Sequence, residues 1–336
     1  MAALKPDNSN HPMADPSAGP VLPAAYSVLA VEPLLSEVER LYGLVGPSTG
    51  QLLRSWANDV YEVATTTERY LLKVYRDRWR PADEVIWEAE LQAYLLGQWV
   101  PVAPIVPRPR GELTGSVRAP DGERTITLTR YVQGAKPDYP LTAQFYHRMG
   151  RLCAQIHQAS DGFTSTRHRP ELDLAALIDE PLATILPWLE MRPDHRALVE
   201  TAGATLRDDL KLLIAQGTDW GICHGDFSLD NIHVTDGGFL VLHDFDYVAC
   251  SWRAVDLHGV QLSERGNWDA FLKGYTAIRS LSQADLAAGT YILATSYLRM
   301  MANELSLWTR WAGALRVSGW AEDELAWLRR WSDGHL

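Results

Sequence analysis

Two acids set at opposite ends of a short hairpin signature constrain this chain most. The stretch Ile222-Cys223-His224-Gly225-Asp226-Phe227-Ser228-Leu229-Asp230-Asn231 leads into two apolar runs, Ile232 to Val234 and Phe239 to Leu242, separated by Asp236-Gly237-Gly238. Asp244 follows thirteen residues after Asn231. Apolar runs joined by a Gly-containing turn predict a two-stranded antiparallel ribbon. Such a ribbon returns the chain to its starting point, so Asp226 and Asn231 on one side and Asp244 on the other are expected to share a small region of space. A plain surface turn can also be rich in Asp, Asn and Gly, but it needs no apolar flanks.

An acid, an Asn five residues on, and a second acid after the next strand is the order found in the H-R-D-x-x-x-x-N and D-F-G segments of protein kinases. Phosphoryl transfer passes through a loose, highly charged transition state, so the protein mainly aligns an acceptor hydroxyl and supplies cations. One carboxylate must accept the hydroxyl proton, and Asp226 is the candidate. Magnesium takes one or two hard protein oxygens beside phosphate oxygens, which suits the Asn231 amide and the Asp244 carboxylate.

A site of this kind also needs a lysine for the phosphates and a glutamate to hold it. Tyr70-Leu71-Leu72-Lys73-Val74-Tyr75 reads as an apolar strand with one lysine, Lys73. On its own that lysine also fits an edge strand facing solvent. Residues 81–97 carry helical periodicity with Val85, Ala89 and Leu96 on one side and Glu84 and Glu88 one turn apart on another, so either Glu could reach Lys73. Gln51 to Ala64 reads as two strands around Trp56-Ala57-Asn58-Asp59, a turn whose backbone N–H groups could cover phosphates, with Asn58 as its candidate; a simple β-turn fits as well. It lacks the G-x-G-x-x-G of protein kinases. Thr125 to Val132 alternates as a strand and runs into Gln133-Gly134, where a hinge is expected, with backbone groups from Arg130 to Val132 meeting the adenine edge.

Together these residues resemble the aminoglycoside phosphotransferase and choline kinase superfamily of protein-kinase-like small-molecule kinases. The matching pieces are His224-Gly225-Asp226 with Asn231, Asp244-Phe245-Asp246, Leu72-Lys73-Val74, the Glu88 region followed by Val100-Pro101-Val102, and Gly150-Arg151-Leu152 with Ile156-His157. The resemblance implies an α+β, two-lobed fold with a small β-rich N-lobe and a larger, mainly helical C-lobe. It implies ATP with Mg2+, Asp226 as catalytic base, and Asn231 and Asp244 as metal ligands, and it favours Glu88 over Glu84 beside Lys73. Asp256 matches an acid of that family and is expected to cap a helix or brace the catalytic loop. His157, on the apolar side of a helix spaced Phe145, Met149, Leu152, Ile156, is expected to be a core histidine. No long activation segment ending in A-P-E follows Asp244, which favours a small acceptor over a peptide.

Composition sets the remaining bounds. At 336 residues and 46% hydrophobic the chain has enough apolar material for two modest cores. The expected layout is a disordered tail over residues 1–24, an N-lobe over 25–132 and a C-lobe over 133–336. The tail lacks the apolar centre of a signal peptide, and no later segment reaches the ~18 apolar residues of a membrane span. Cys153, Cys223 and Cys250 show no paired metal spacing and point to free thiols in a reducing cytoplasm. A net charge of −11 argues against nucleic acid. Residues from Gln133 onward hold 18 Lys plus Arg against 26 Asp plus Glu, while residues 1–132 hold 13 against 16. Because the acceptor site is expected in the C-lobe, this imbalance points toward a small hydroxyl substrate that carries amino groups. Trp252, Trp268, Trp308, Trp311, Trp320, Trp327 and Trp331 could form an alkylammonium cage, but the 308/311 and 327/331 pairs sit at helical spacing, the ordinary pattern of packing.

The reading that follows is an ATP- and Mg2+-dependent kinase of an antibiotic, amino alcohol, homoserine-like amino acid or sugar. A protein Ser/Thr kinase of the same superfamily and an inactive nucleotide-binding relative are the alternatives. A third takes Asp244-Phe245-Asp246 as the D-x-D of an aspartyl-phosphate phosphatase, but that motif belongs after the first strand of a doubly wound domain.

Overall fold

The computed structural model describes residues 27–45, 48–76, 79–263, 265–311 and 321–334. The expected tail, the side chains of Trp308 and Trp311, and Trp320 lie outside the described residues. Helix α1 (Val31–Tyr42) precedes three strands, β1 (Thr49–Ser55), β2 (Asn58–Ala64) and β3 (Arg69–Tyr75). Helix α2 (Ala82–Gly97) and strands β4 (Thr114–Ala119) and β5 (Gly122–Arg130) follow. The strands form one antiparallel sheet in the order β1-β2-β3-β5-β4.

Strand period two divides this sheet into a packed face and a working face. Tyr70, Leu72 and Val74 of β3 and Ile126 and Leu128 of β5 are buried with Leu34, Val38 and Leu41 of α1. The intervening Leu71, Lys73, Tyr75, Thr127 and Thr129 line the opposite side, which is a cleft. Truncating a fully buried residue such as Leu72 to Ala would cost about 2–5 kcal/mol. That core holds Lys73 at a fixed height above the cleft.

The second half begins with α3 (Ala143–Ser160), whose first turn is capped by Thr142 Oγ1 accepting from Phe145 N at 3.2 Å. Then come α4 (Glu180–Ile185), α5 (Pro193–Ala215), β6 (Trp220–Cys223), β7 (Ile232–Val234), β8 (Leu240–Leu242) and β9 (Ala249–Trp252). Helices α6 (Val255–Ser263), α7 (Trp268–Thr276), α8 (Gln283–Trp311) and α9 (Glu322–Asp333) complete it. The β7–β8 ribbon pairs Ile232 with Leu242 and Val234 with Leu240, and β6 pairs antiparallel with β9. Phe239, expected to begin the second strand, is instead 71% exposed in the turn.

One core packs Trp87, Leu91 and Leu95 of α2 against Met149, Leu152 and Ile156 of α3 and Ile232 and Leu242 of the ribbon. Because α2 is threaded between sheet residues in sequence yet buries its apolar stripe here, it ties the halves together. Ala103 N–H donating to Leu242 O at 2.8 Å adds a backbone link. A further core joins α4, α5, α8 and α9 through Val199, Leu206, Leu298, Leu325 and Trp331. Trp327 stacks on Tyr297 with centroids 4.0 Å apart, and Trp331 meets Tyr291 edge-on, so both tryptophans serve packing. Helices α3 and α7 touch backbone to backbone: a Cβ on Gly150 would lie 2.0 Å from Phe271 O, and one on Gly274 would lie 1.9 Å from His147 O. Among the described residues no helix is long and apolar enough to cross a membrane. The architecture is α+β and protein-kinase-like, with a β-sheet N-terminal part and a helical C-terminal part.

Candidate active site

The loop after β6 is shaped by one glycine and one buried acid. Gly225 has φ +78°, and a Cβ there would fall 2.3 Å from Tyr247 O, so only glycine lets the loop pass this close to the strand bearing the second acid. Asp256, at the start of α6, accepts from His224 N at 2.6 Å and from Gly225 N at 2.7 Å. It also bonds His157 Nε2 at 2.9 Å, while His157 Nδ1 bonds Tyr275 O–H at 2.8 Å. Burial lowers the His157 pKa, so the ring is neutral, with Nε2–H donating to Asp256 and Nδ1 accepting from Tyr275. Asp256 therefore braces the loop.

Asn231 ends the loop and points back across it. Its Nδ2 donates to Asp226 Oδ2 at 2.8 Å and to Asp226 O at 2.9 Å. The Asp226 side chain is exposed to the cleft at one edge, yet burial of its surroundings raises its pKa, with Asp244 and Asp256 adding to the rise and Asn231 and His224 opposing it.

Asp244 follows β8 with φ +65°, a left-handed conformation that Asp tolerates better than most residues. Lys73 Nζ lies 2.9 Å from Asp244 Oδ1 and 2.7 Å from Asp246 Oδ1. Arg54, near the end of β1, pairs with Asp244 Oδ2 at 2.9 Å, and Asn58 Nδ2 donates to Asp246 Oδ2 at 2.7 Å. Burial alone would raise both carboxyls. At Asp244 the Lys73 ammonium and the Arg54 guanidinium win and hold it well below the usual carboxylate range. At Asp246 burial wins, helped by the charges of Asp244 and Glu88, and its pKa is pushed up to about 6. Burial would lower Lys73, but the two carboxylates outweigh it and hold the ammonium charged.

These groups line one cavity of about 910 Å³ that includes Asn58, Lys73, Glu88, Arg130, Val132, Asp226, Asn231 and Asp244. Every residue expected at the site thus borders the same space, though three do so differently than expected. Glu88 does not pair with Lys73: its Oε1 accepts from Tyr75 O–H at 2.7 Å and its Oε2 lies 3.5 Å from Arg169. The acids two residues apart after β8 reach the ammonium first. Glu84 pairs with Arg80 at 2.9 Å. Asn58 begins β2 rather than capping an open phosphate turn, and its buried side chain is spent on Asp246. The Arg130 guanidinium points away to Glu68, while its N–H donates to Pro104 O at 2.8 Å and that of Tyr131 to Arg69 O at 2.9 Å. Val132 C=O bonds His233 Nδ1 at 3.2 Å.

The donor set suits a divalent cation. Two buried acids share one lysine, which leaves negative charge undercompensated, and an exposed arginine partly fills the deficit at Asp244. With the Asn231 N–H groups spent on Asp226, its amide oxygen is the atom left for a hard cation, alongside the ionised Asp244.

Asp246, Arg54 and Arg169 were missed as site residues by the sequence reading. Asp246 left a signal, since acids at i and i+2 on an extended segment share a face. Arg54 and Arg169 left none. Arg169 donates to Asp246 O at 2.6 Å and Val248 O at 2.8 Å from a loop far off in sequence.

A profile of the phosphotransferase enzyme family, APH, matches residues 49–290. An uncharacterized protein of Deinococcus radiodurans is 37% identical over 290 residues, 83% of this chain and 83% of its own length. A homoserine kinase of Allorhizobium ampelinum is 25% identical over 325 residues, 90% of this chain and 95% of that one. Among solved structures, an amicoumacin kinase in complex with AMP-PNP, Ca2+ and Ami superposes with a TM-score of 0.70 at 21% identity, covering 90% of this chain and 92% of that chain. With the family profile spanning most of the sheet, the loop and the acid strand just described, this chain belongs to the APH phosphotransferase enzyme family.

Proposed function

We propose that the chain is an ATP- and Mg2+-dependent phosphotransferase that moves the γ-phosphate onto a hydroxyl of a small molecule. The observation that carries this reading is the convergence of Lys73, Asp226, Asn231 and Asp244 on one cavity, with Lys73 already paired to Asp244. Asp226 takes the role of base: it is exposed at the cleft, its raised pKa makes it a better proton acceptor, and Asn231 fixes its orientation. Asn231 and Asp244 would hold the metal, whose chemistry when bound is to neutralise charge on the phosphate oxygens. Lys73 positions phosphate oxygens and keeps Asp244 ionised. Glu88 acts at one remove, orienting Tyr75 beneath the cleft. The Val132 N–H and neighbouring carbonyls are the adenine-edge candidates.

Support for a small acceptor comes from the short connection after Asp246. Only β9 intervenes before α6 begins at Val255, which leaves no platform for a peptide. Relatives named homoserine kinase and amicoumacin kinase agree with that size class. The phosphatase alternative is disfavoured because Asp244 follows an antiparallel ribbon rather than the first strand of a parallel sheet.

The test is ADP release by pure protein with Mg–ATP across a panel of small alcohols and a casein-like protein. Turnover with an alcohol that disappears in Asp226→Asn supports the reading. Turnover with the protein substrate alone, or an unaffected Asp226→Asn variant, refutes it.

A further inference from the structure

Three arginines gather at the segment that follows Asp244. Arg80 donates to Asp246 O at 2.7 Å and pairs with Glu84 at 2.9 Å. Arg169 donates to Asp246 O and Val248 O and lies 3.5 Å from Glu88. Both are spent on backbone carbonyls and both have a carboxylate beside them. The third, Arg299 of α8, is different. It is largely buried, its charged neighbours are Tyr247 and Arg80, and no hydrogen bond or ion pair of its guanidinium occurs among the described residues.

A guanidinium withdrawn from water without a carboxylate is costly, and buried charges are ordinarily paired. Arg80 adds like charge instead of relief. Burial, with Arg80 reinforcing it, pulls Arg299 down to about 10, still protonated at neutral pH. The missing partner must therefore arrive from outside the chain. Tyr247 locates where it would sit: this residue lines the same cavity as Asp226, and it is an electrostatic neighbour of Asp226 as well as of Arg299.

We propose that Arg299 is a specificity-determining residue that receives a carboxylate of the acceptor, so that the substrate is a hydroxy acid with its hydroxyl at Asp226 and its carboxylate at Arg299. The inference rests on the phosphotransferase reading above and narrows its acceptor. It also refines the expectation from charge. The half of the chain from Gln133 onward, with its 26 acids against 18 bases, favours an amino group, while Arg299 favours a carboxylate; a hydroxy amino acid satisfies both and an amino alcohol only the first. Because the surrounding field repels anions, discrimination has to come from this local contact rather than from long-range steering.

Matched pairs that differ only by the carboxylate test this: L-homoserine against 3-aminopropan-1-ol, L-serine against ethanolamine, and D-glycerate against ethylene glycol. ADP release with Mg–ATP by the full chain is expected to favour the acid at least tenfold in kcat/KM in one or more pairs. In Arg299→Gln the KM for that acid should rise about ten- to a hundredfold, as expected for a lost charge-assisted bond, with the KM for ATP unmoved and partial recovery in Arg299→Lys. Equal or better use of the decarboxylated partner in every pair overturns the proposal while leaving the phosphotransferase reading intact. An acid KM unchanged in Arg299→Gln overturns it as well. If that variant does not fold, calorimetry of wild-type protein loaded with Mg–AMP-PNP decides: tighter binding of an acid than of its partner supports the proposal, and equal binding, including none to either, overturns it. Failure of every alcohol to release ADP removes both readings.

Discussion

Two buried acid clusters lie a few residues apart and are built on opposite principles. Around Asp256 each polar atom has a complementary partner: two backbone N–H groups, a neutral His157 and, beyond it, Tyr275. Burial would raise this carboxyl, yet its hydrogen bonds hold it low. Around Asp244 and Asp246 two acids compete for one ammonium, and one of them is pushed toward neutrality. A saturated cluster has nothing left to bind and serves as a brace, whereas an undersupplied one is poised to take a cation. Saturation of hydrogen bonds, rather than burial or charge, separates structural acids from working acids here.

The comparison breaks or sharpens under substitution. The largest effect is expected at Asp226: Asp226→Asn should lower kcat about 10²- to 10⁴-fold while Mg–ATP binding, followed by calorimetry, stays near wild type. Next is the brace, where Asp256→Ala strands His157 and two amides; thermal and urea melts should show a loss of about 3–5 kcal/mol. If Asp256→Ala instead lost turnover with an unchanged melting profile, the brace would have to be counted among the working acids.

Lys73→Met should raise the KM for ATP about tenfold or more, and it should also shift Asp244 upward, detectable as metal affinity that weakens as the pH falls. A smaller effect is predicted from Asp246. Its folded pKa, about 6, lies above its ordinary 3.8, so the native state holds the proton more tightly than the unfolded chain. Stability should therefore decline as pH rises from about 4 to 6, by on the order of 2 kcal/mol, and Asp246→Asn should flatten that slope. Asp244 titrates in the opposite sense and below that window, so the two contributions separate on the pH axis. Least affected should be Arg54→Gln. Its ion pair is more than half exposed on the arginine side and is worth little, so Mn2+ binding without nucleotide should tighten only a few-fold.

What the sequence disclosed followed from local rules. The ribbon flanked by Asp226, Asn231 and Asp244 was legible because apolar runs and a Gly turn specify it within twenty residues, and β3 was legible because its alternation puts Lys73 opposite Leu72 and Val74. The partner of Lys73 was not. Which carboxylate reaches an ammonium depends on how α2 crosses the sheet, and that crossing is set by Trp87, Leu91 and Leu95 packing into the other half of the molecule. Arg54, Arg169 and Arg299 were illegible for a related reason: each meets the segment around Asp244 from a different part of the chain, with no periodicity to mark it. Asp256 and His157 were read correctly in kind, as brace and core, though not as partners of each other.

The glycine contact between α3 and α7 bears on this brace from a distance. Tyr275 is the next residue after Gly274, and His157 lies about two turns along α3 from Gly150, so the spacing between the two helix axes sets whether the phenol and the imidazole meet. A single methyl group inserted at that crossing would act as a wedge, opening the Tyr275–His157–Asp256 relay and loosening the loop at its far end. The aim of Asp226 is thus adjustable from the outer helices, and drift in their packing could retune the enzyme without altering any group that lines its cleft.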